Sequence, residues 1–423
     1  MPAATATSSD DPVQIPVDVY QDEDFYVPAF QIVIKGKQLP SDVVQDILSV
    51  SYTDSLTDID SCEFVVNNWD PDKATLDSTD FENSPFQYSD SNLFDPWQAI
   101  ELYMGYYQGG EKPIKMMTGE ITTMTPNFPA SGASTLSIRA LNLLHRFRTK
   151  QETKPFINRK DSDIARELVG DIAKDVRTTQ PNLTLQVDSD ELNQNLLTEP
   201  ILNYQILNKQ YPIQFLMQRS RDNGYELFVT EDGTDDTHRV VTVHYRPTAA
   251  SSQIFYRLAW GETLIGFQPT LKTANQVSSL TVQGWDPTGK KKIEETFLRK
   301  DLANVVHPVD LDIAESGLSQ KEEITADKPV QNVAEARRIA EKRLLQISQD
   351  FVEGKGKTIG LPNLRAGSKI QIEGLGTRFS GIYLVTTTTH TIGEGGYTTD
   401  FSARMEAKLP SANAANTSNG VAS

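Results

Sequence analysis

The chain has 423 residues, 40 of them basic and 57 acidic, giving a net charge of −17 with 38% apolar residues. That length accommodates two to four domains, each with its own core. The charge excludes a protein that grips nucleic acid by neutralising phosphates, or one that docks on anionic lipid.

The acid excess reads as a solvated surface. A channel wall that does not retain a passing polyanion is the other reading. No run approaches the roughly 18–20 apolar residues of a membrane span. Met1–Pro12 lacks the basic start and apolar stretch of a signal peptide, so synthesis in the cytoplasm is expected. The single cysteine, Cys62, excludes an internal disulfide and reads as a small buried hydrophobe in a strand.

In chain order, residues 1–25 are expected to be flexible. The first ordered block, 26–147, alternates apolar and polar residues at Phe30–Ile34 and Ile47–Tyr52. Cys62–Val66, Ile100–Tyr106, Met117–Met124 and Thr135–Arg139 give further strands. No long helix is evident, so the block is a β-barrel or sandwich. A Ser/Asp/Asn/Pro-rich stretch between Asp70 and Pro96 reads as a long loop. Its aromatics Phe86, Tyr88 and Phe94, with Trp97 just beyond, either contact a partner or fold back on the barrel. Asp54, Asp58, Asp60 and Glu63 lie in and beside early strands, where alternation turns some of them inward.

The second block, 148–247, is α+β. Ile164, Leu168, Ile172 and Val176 recur every four residues behind Asp161, an amphipathic helix with an acidic start. A second helix is expected from Pro212 to Asn223-Gly224, with Ile213, Leu216 and Met217 facing the core. The strands Tyr225–Val229 and Arg239–Tyr245 close a hairpin. The third block, 248–408, opens with strands at Leu264–Leu271 and Val277–Gly284. Lys290–Asp327 reads as loop or insertion. Val333, Ala336, Ala340, Leu344, Ile347 and Phe351 mark one face of a helix. Gly354-Lys355-Gly356-Lys357-Thr358 lacks the spacing of a phosphate loop and reads as a helix C-cap and turn. Residues 409–423 are small and polar, an expected disordered tail.

No catalytic constellation is visible. His145, His238, His244, His307 and His390 make no metal-binding spacing; His238 and His244 share a strand face, with no cysteine to complete a site. No nucleophile elbow occurs. The expectation is no catalytic residue, no cofactor and no metal.

The C-terminal third carries the most specific pattern. Gly360-Leu-Pro362-Asn-Leu precedes Gly367 and Gly374. Arg378-Phe379-Ser-Gly381-Ile-Tyr383 follows, then His390, then Gly396-Tyr397-Thr-Thr-Asp-Phe401. Glycines interrupt short alternating runs, the pattern of strands joined by tight turns. This closely resembles the signature of the phage late-control D family, the baseplate-hub proteins of contractile tails and injection systems, similar to the N-terminal part of VgrG. Tyr211–Val229 resembles the same family.

The resemblance implies a mainly β fold with two tube-type barrels, 26–147 and 248–408, around an α+β insertion at 148–247. It implies a homotrimer whose six barrels form a pseudo-hexameric ring between a hexameric tail tube and a trimeric spike. The implied partners are the inner tube protein, a separate spike protein and baseplate wedge components, inside a phage tail or injection particle assembled from the bacterial cytoplasm. Stable nucleic-acid binding and direct membrane insertion are not implied. Trp69-Asp70-Pro71 and Trp285-Asp286-Pro287 echo one another, as a duplicated barrel would. The competing classes are a cell-wall glycan hydrolase, which needs two carboxylates about 5–10 Å apart, and a carbohydrate-binding module with an aromatic platform.

Overall fold

The computed structural model describes residues 17–18, 27–71, 73, 84–107, 113–179, 183–232, 239–247, 254–274, 276–286, 289–304, 322–325, 330 and 332–408. The expected disordered tail, most of the expected flexible N-terminus, and His238 and His307 lie outside these residues. Within the N-terminus, β1 (Val17–Asp18) is a short strand.

The fold is mainly β. Seven strands follow β1: β2 (Pro28–Ile34), β3 (Lys37–Gln38), β4 (Ile47–Ser55), β5 (Ser61–Asn67), β6 (Ala99–Tyr106), β7 (Ile114–Asn127) and β8 (Thr135–Asn142). Apart from the two-residue β3, they make a six-stranded barrel. Strict alternation builds it: Ile32, Val50, Tyr52, Phe64, Ile100, Ile121 and Ile138 all point into one core. The described residues of the stretch read as a loop carry no helix or strand beyond an isolated bridge from Phe86 back to Trp69.

An α+β insertion follows. Its strands are β9 (Glu152–Arg159), β10 (Leu183–Val187), β11 (Leu202–Gln210), β12 (Tyr225–Asp232) and β13 (Arg239–Pro247). Helices span Asp161–Thr179, Ser189–Thr198 and Pro212–Asn223. The last starts on Pro212 and ends where Gly224 takes φ +67°, a left-handed cap that favours glycine. Ile164, Leu168, Val176, Ile213, Leu216 and Met217 share one core with the β10–β13–β12 sheet.

The second barrel has β14 (Ile254–Ala259), β15 (Leu264–Leu271), then β19 (Val352–Ile359), β20 (Lys369–Glu373), β21 (Gly381–Gly393) and β22 (Gly396–Lys408). Between β15 and β19 the chain leaves the barrel to form β16 (Ser279–Asp286), β17 (Lys291–Leu298), β18 (Glu322–Thr325) and the helix Val333–Gln349.

Two expectations are corrected here. Within Lys290–Asp327, the described residues include two strands and a short helix rather than loop. β17 alternates buried Ile293 and Phe297 with charged residues, so its lysines and glutamates mask the strand pattern. Ala336, Ala340 and Leu344 of the helix pack on this small sheet, outside the barrel core. The Gly354–Thr358 stretch is strand, not cap and turn. Gly354 and Gly356 alternate inward, and the rings of Phe267 and Phe401 lie where a Cβ would be, 2.2 and 2.3 Å from it.

The two barrels share one strand order. Numbering strands within each barrel by chain order, hydrogen-bonded neighbours run 2-3-6-5-4-1 in both: β4-β5-β8-β7-β6-β2 and β15-β19-β22-β21-β20-β14. All ladders match in sense except the last, antiparallel for β2–β6 and parallel for β14–β20.

Two of the bulges match as well. The second strand skips one residue, Leu48 in β4 and Ile265 in β15. The fifth skips Thr122 in β7 and Thr386 in β21. Stepping across the ladders from the residue after the first bulge gives Ser49, Val65, Ser137, Thr125 in one barrel. The other gives Gly266, Lys357, Asp400, Thr389. Each path ends three residues beyond the fifth-strand bulge, so the four-stranded units superpose in register. The Trp-Asp-Pro echo is not part of this duplication: Trp69 follows a third barrel strand, whereas Trp285 lies on β16 outside the barrels.

Candidate functional site

The two barrels are joined where β21 changes partner. Its first residues pair with β20; after the bulge, Thr387–Ile392 pair with Ser55–Val50 of β4. A 14-stranded sheet therefore runs unbroken through both barrels. Leu56 N–H donates to the Thr386 carbonyl at 3.1 Å, and Thr53 and Thr389 hydroxyls meet at 3.0 Å. Ile392 and Tyr397, from the hairpin of the second barrel, are buried in the core of the first.

Arg365 fastens this seam. It stands in the loop between β19 and β20. Its Nε donates to Asp54 Oδ2 at 2.7 Å, and its Nη2 to the Tyr52 hydroxyl at 2.5 Å and the Met116 carbonyl at 3.2 Å. Asp54, 5% exposed, also accepts from the Ala366 amide and the Thr388 hydroxyl. Beside it Asp60 accepts from the Ser55 amide and, at 2.7 Å, from Asn142. Burial, then the neighbouring Asp54 charge, push Asp60 up to about 7.

His390 is fully buried. Its Nε2 lies 3.0 Å from the Leu364 carbonyl, so that nitrogen carries the proton. Its Nδ1 accepts from the hydroxyls of Tyr397 and Thr399 at 3.0 and 3.1 Å. Burial lowers its pKa to about 4, which keeps the ring neutral.

The other motif residues shape the same loop and hairpin. Gly367, Gly374 and Gly396 have φ of +85°, +80° and +89°. Gly360 bonds through its amide to the Tyr397 carbonyl at 2.9 Å. Pro362 stands in the turn after β19. Arg378 and Phe379 form a single helical turn, whose Phe379 carbonyl accepts from Tyr383, and Gly381 opens β21.

The loop aromatics divide. Tyr88 and Phe94, at 2% and 0% exposure, belong to the first barrel's own core and are closed to a partner. Phe86 packs edge-on against Trp69 and Phe128. Trp97 is 74% exposed. Of the acidic candidates, Asp54 and Asp60 are buried in the seam, Asp58 is exposed in a turn, and Glu63 accepts from Ser137 on the outer sheet face.

That outer face crosses eight strands, from β15 through the seam to β7. It is rich in hydroxyls, such as Ser51, Thr53, Thr387 and Thr389. Many of its charges answer one another: Lys272 with Glu353, Lys357 with Asp400, Arg404 with Glu406.

Elsewhere, Asp188, Glu191 and His244 bring ligand atoms within 4.8 Å of one another. Each has protein partners: Asp188 caps a helix, Glu191 accepts from Arg246, and His244 bonds Thr230 at 2.8 Å. A cavity of about 380 Å³ lies between the insertion, the Val333–Gln349 helix and β22. Glu226 in its wall is pushed up to about 7 by burial. No helix of the described residues is long and apolar enough to cross a membrane.

A family model described as the Alg8 N-terminal domain matches residues 25–394. The chain belongs to the Alg8 N-terminal domain family. No curated protein matches it at the sequence level.

Solved structures share the fold of this Alg8 N-terminal domain chain. The 43 kDa tail protein of prophage MuSo2 from Shewanella oneidensis matches with a TM-score of 0.60 at 13% identity, over 90% of this chain and 100% of that one. The tail protein from Neisseria meningitidis MC58 gives 0.58 at 12% identity, over 90% and 97%. A chain of the half-lidded Francisella PdpA–VgrG complex gives 0.52 at 10% identity, over 93% of this chain and 60% of its own length. At these identities the likeness shows a tail-protein fold.

Proposed function

We propose that the chain is a structural baseplate hub of the late-control D type, in a contractile phage tail or injection particle. Three copies close a ring of six barrels that adapts a hexameric inner tube to a trimeric spike. Its partners are the inner tube protein, a separate spike protein and baseplate wedge components. The observation that carries this reading is the duplicated barrel: two units of one strand order, with the second-strand and fifth-strand bulges in matching places, fused through one sheet. Further copies joined head to tail complete the ring. The hydroxyl-rich face, with its mutually paired charges, suits a wall along which cargo slides without being held.

The hydrolase alternative has little support. Asp54 and Asp60 are neighbouring carboxylates, but they are buried and tied to Arg365, Ser55 and Asn142, out of reach of a glycan. Light scattering on the purified chain of 47.1 kDa tests the reading. A mass of three chains, with no turnover of peptidoglycan, is the expected result; a monomer at all concentrations, or glycan cleavage abolished by one acidic substitution, overturns it.

A further inference from the structure

We infer that Asp188, Glu191 and His244 form a binding site for a divalent cation of the zinc class, which ties the start of the Ser189–Thr198 helix to β13 within the α+β insertion. This goes beyond the hub reading and does not depend on it.

The backbone brings the three together. Asp188 follows β10, which lies parallel to β13 with Val187 opposite Val243. The Asp188 amide donates to the Val243 carbonyl at 3.0 Å, so Asp188 stands beside His244. Glu191 sits in the first turn of the helix that Asp188 caps.

Each side chain has two polar atoms, and a neighbour holds one of them. Asp188 Oδ1 accepts from the amides of Asp190 and Glu191, both at 3.0 Å. Glu191 Oε1 accepts from Arg246 Nη1 at 3.3 Å. His244 Nε2 lies 2.8 Å from the Thr230 hydroxyl, and its ring stacks on Phe228 with centroids 4.7 Å apart. The other three atoms converge. His244 Nδ1 lies 3.0 Å from Glu191 Oε2 and 3.7 Å from Asp188 Oδ2, and all three are within 4.8 Å of one another. Outer partners that fix the imidazole and the carboxylates in this way are what orient the ligands of a metal site.

Two carboxylate oxygens turned toward one another repel unless a positive charge stands between them. Arg246 bonds the outer oxygen of Glu191, not this inner pair. A metal ion takes the place of a proton on Nδ1. The ring proton then sits on Nε2 and is donated to the Thr230 hydroxyl, so no proton is lost from the pair. One imidazole nitrogen with two carboxylate oxygens suits zinc, with water completing the coordination. Zinc bonds of about 2.0–2.2 Å set neighbouring ligand atoms roughly 3–4 Å apart, the spacing found around Nδ1. Calcium takes about six to eight oxygens, many more than these side chains offer. All three side chains are half-buried, so an ion reaches them from solvent. The sequence shows His244 without a cysteine to complete a site; its partners are carboxylates, and Glu191 lies 53 residues earlier.

Zinc titration of the full-length chain, first stripped with a chelator, tests this by calorimetry and by melting temperature. The expected result is one zinc per chain and a melting temperature that rises with zinc concentration, with no such response to calcium. Asp188→Asn keeps a helix cap, because asparagine caps as well as aspartate. It should abolish stoichiometric zinc binding, as should His244→Gln. Thr230→Val should weaken binding about 10–100-fold. Zinc held equally well by Asp188→Asn and His244→Gln lies elsewhere on the chain and overturns the site. A wild-type chain that binds no zinc and melts unchanged overturns it as well. Calcium binding as tight as zinc binding overturns the metal class.

Discussion

At the scale of single residues, the seam rests on Arg365. It neutralises a carboxylate that is 5% exposed, and it reaches two strands of the other barrel. Removing one partner of a buried pair leaves the other charge uncompensated, at a cost of about 3–5 kcal/mol. Arg365→Met should therefore lower the unfolding free energy by that amount in chemical denaturation, with Arg365→Lys intermediate because it loses the forked geometry.

Asp60 gives a pH signature. Its folded pKa of about 7 lies above the unfolded 3.8. Its contribution is fully present below about 3.8 and is lost as pH rises through 7. Asp60→Asn should lose less melting temperature than wild type between pH 5 and pH 8; an unchanged difference contradicts the assignment. His390 has the opposite sign, its contribution present above 6.5 and lost as pH falls through about 4. The motif that singles out His390 and the turn glycines is local and readable. The Arg365–Asp54 bond joins residues 311 apart, and nothing in either neighbourhood announces the other.

At the scale of elements, alternation shows the first barrel and the amphipathic stripes show the helices, because one buried face repeats at the period of the backbone. Two elements escape this signal for physical reasons. β19 hides because its two central inward positions, Gly354 and Gly356, are glycines, whose missing side chains are replaced by rings from neighbouring strands. Gly356→Val would drive a side chain into the Phe401 ring and should cost about 1–3 kcal/mol, read as a lower melting temperature. An unchanged melting temperature would contradict this account of the strand. β17 hides because four of its eight residues are lysine or glutamate, which mask the buried Ile293 and Phe297. The short Trp-Asp-Pro repeat, by contrast, suggests duplication for the wrong reason: the real correspondence lies in strand order and bulge position, which survive without shared residues.

At the scale of the whole molecule, the account concerns closure. One chain is two matched units, and among the described residues β15 at one end pairs only with β19 and the end of β7 at the other pairs only with β8. In the proposed trimer three chains at −17 each carry 3 × −17 = −51, beside a hydroxyl-rich face on which Lys272, Lys357 and Arg404 pair with neighbouring carboxylates. Neither the end edges nor this face is marked by a motif, since both depend on how two distant segments superpose. Class averages of the purified protein by electron microscopy test closure most directly. The account predicts closed rings of three chains with six similar barrel densities around an open centre. Particles that remain single two-barrel bodies, or that polymerise into open filaments, would contradict it.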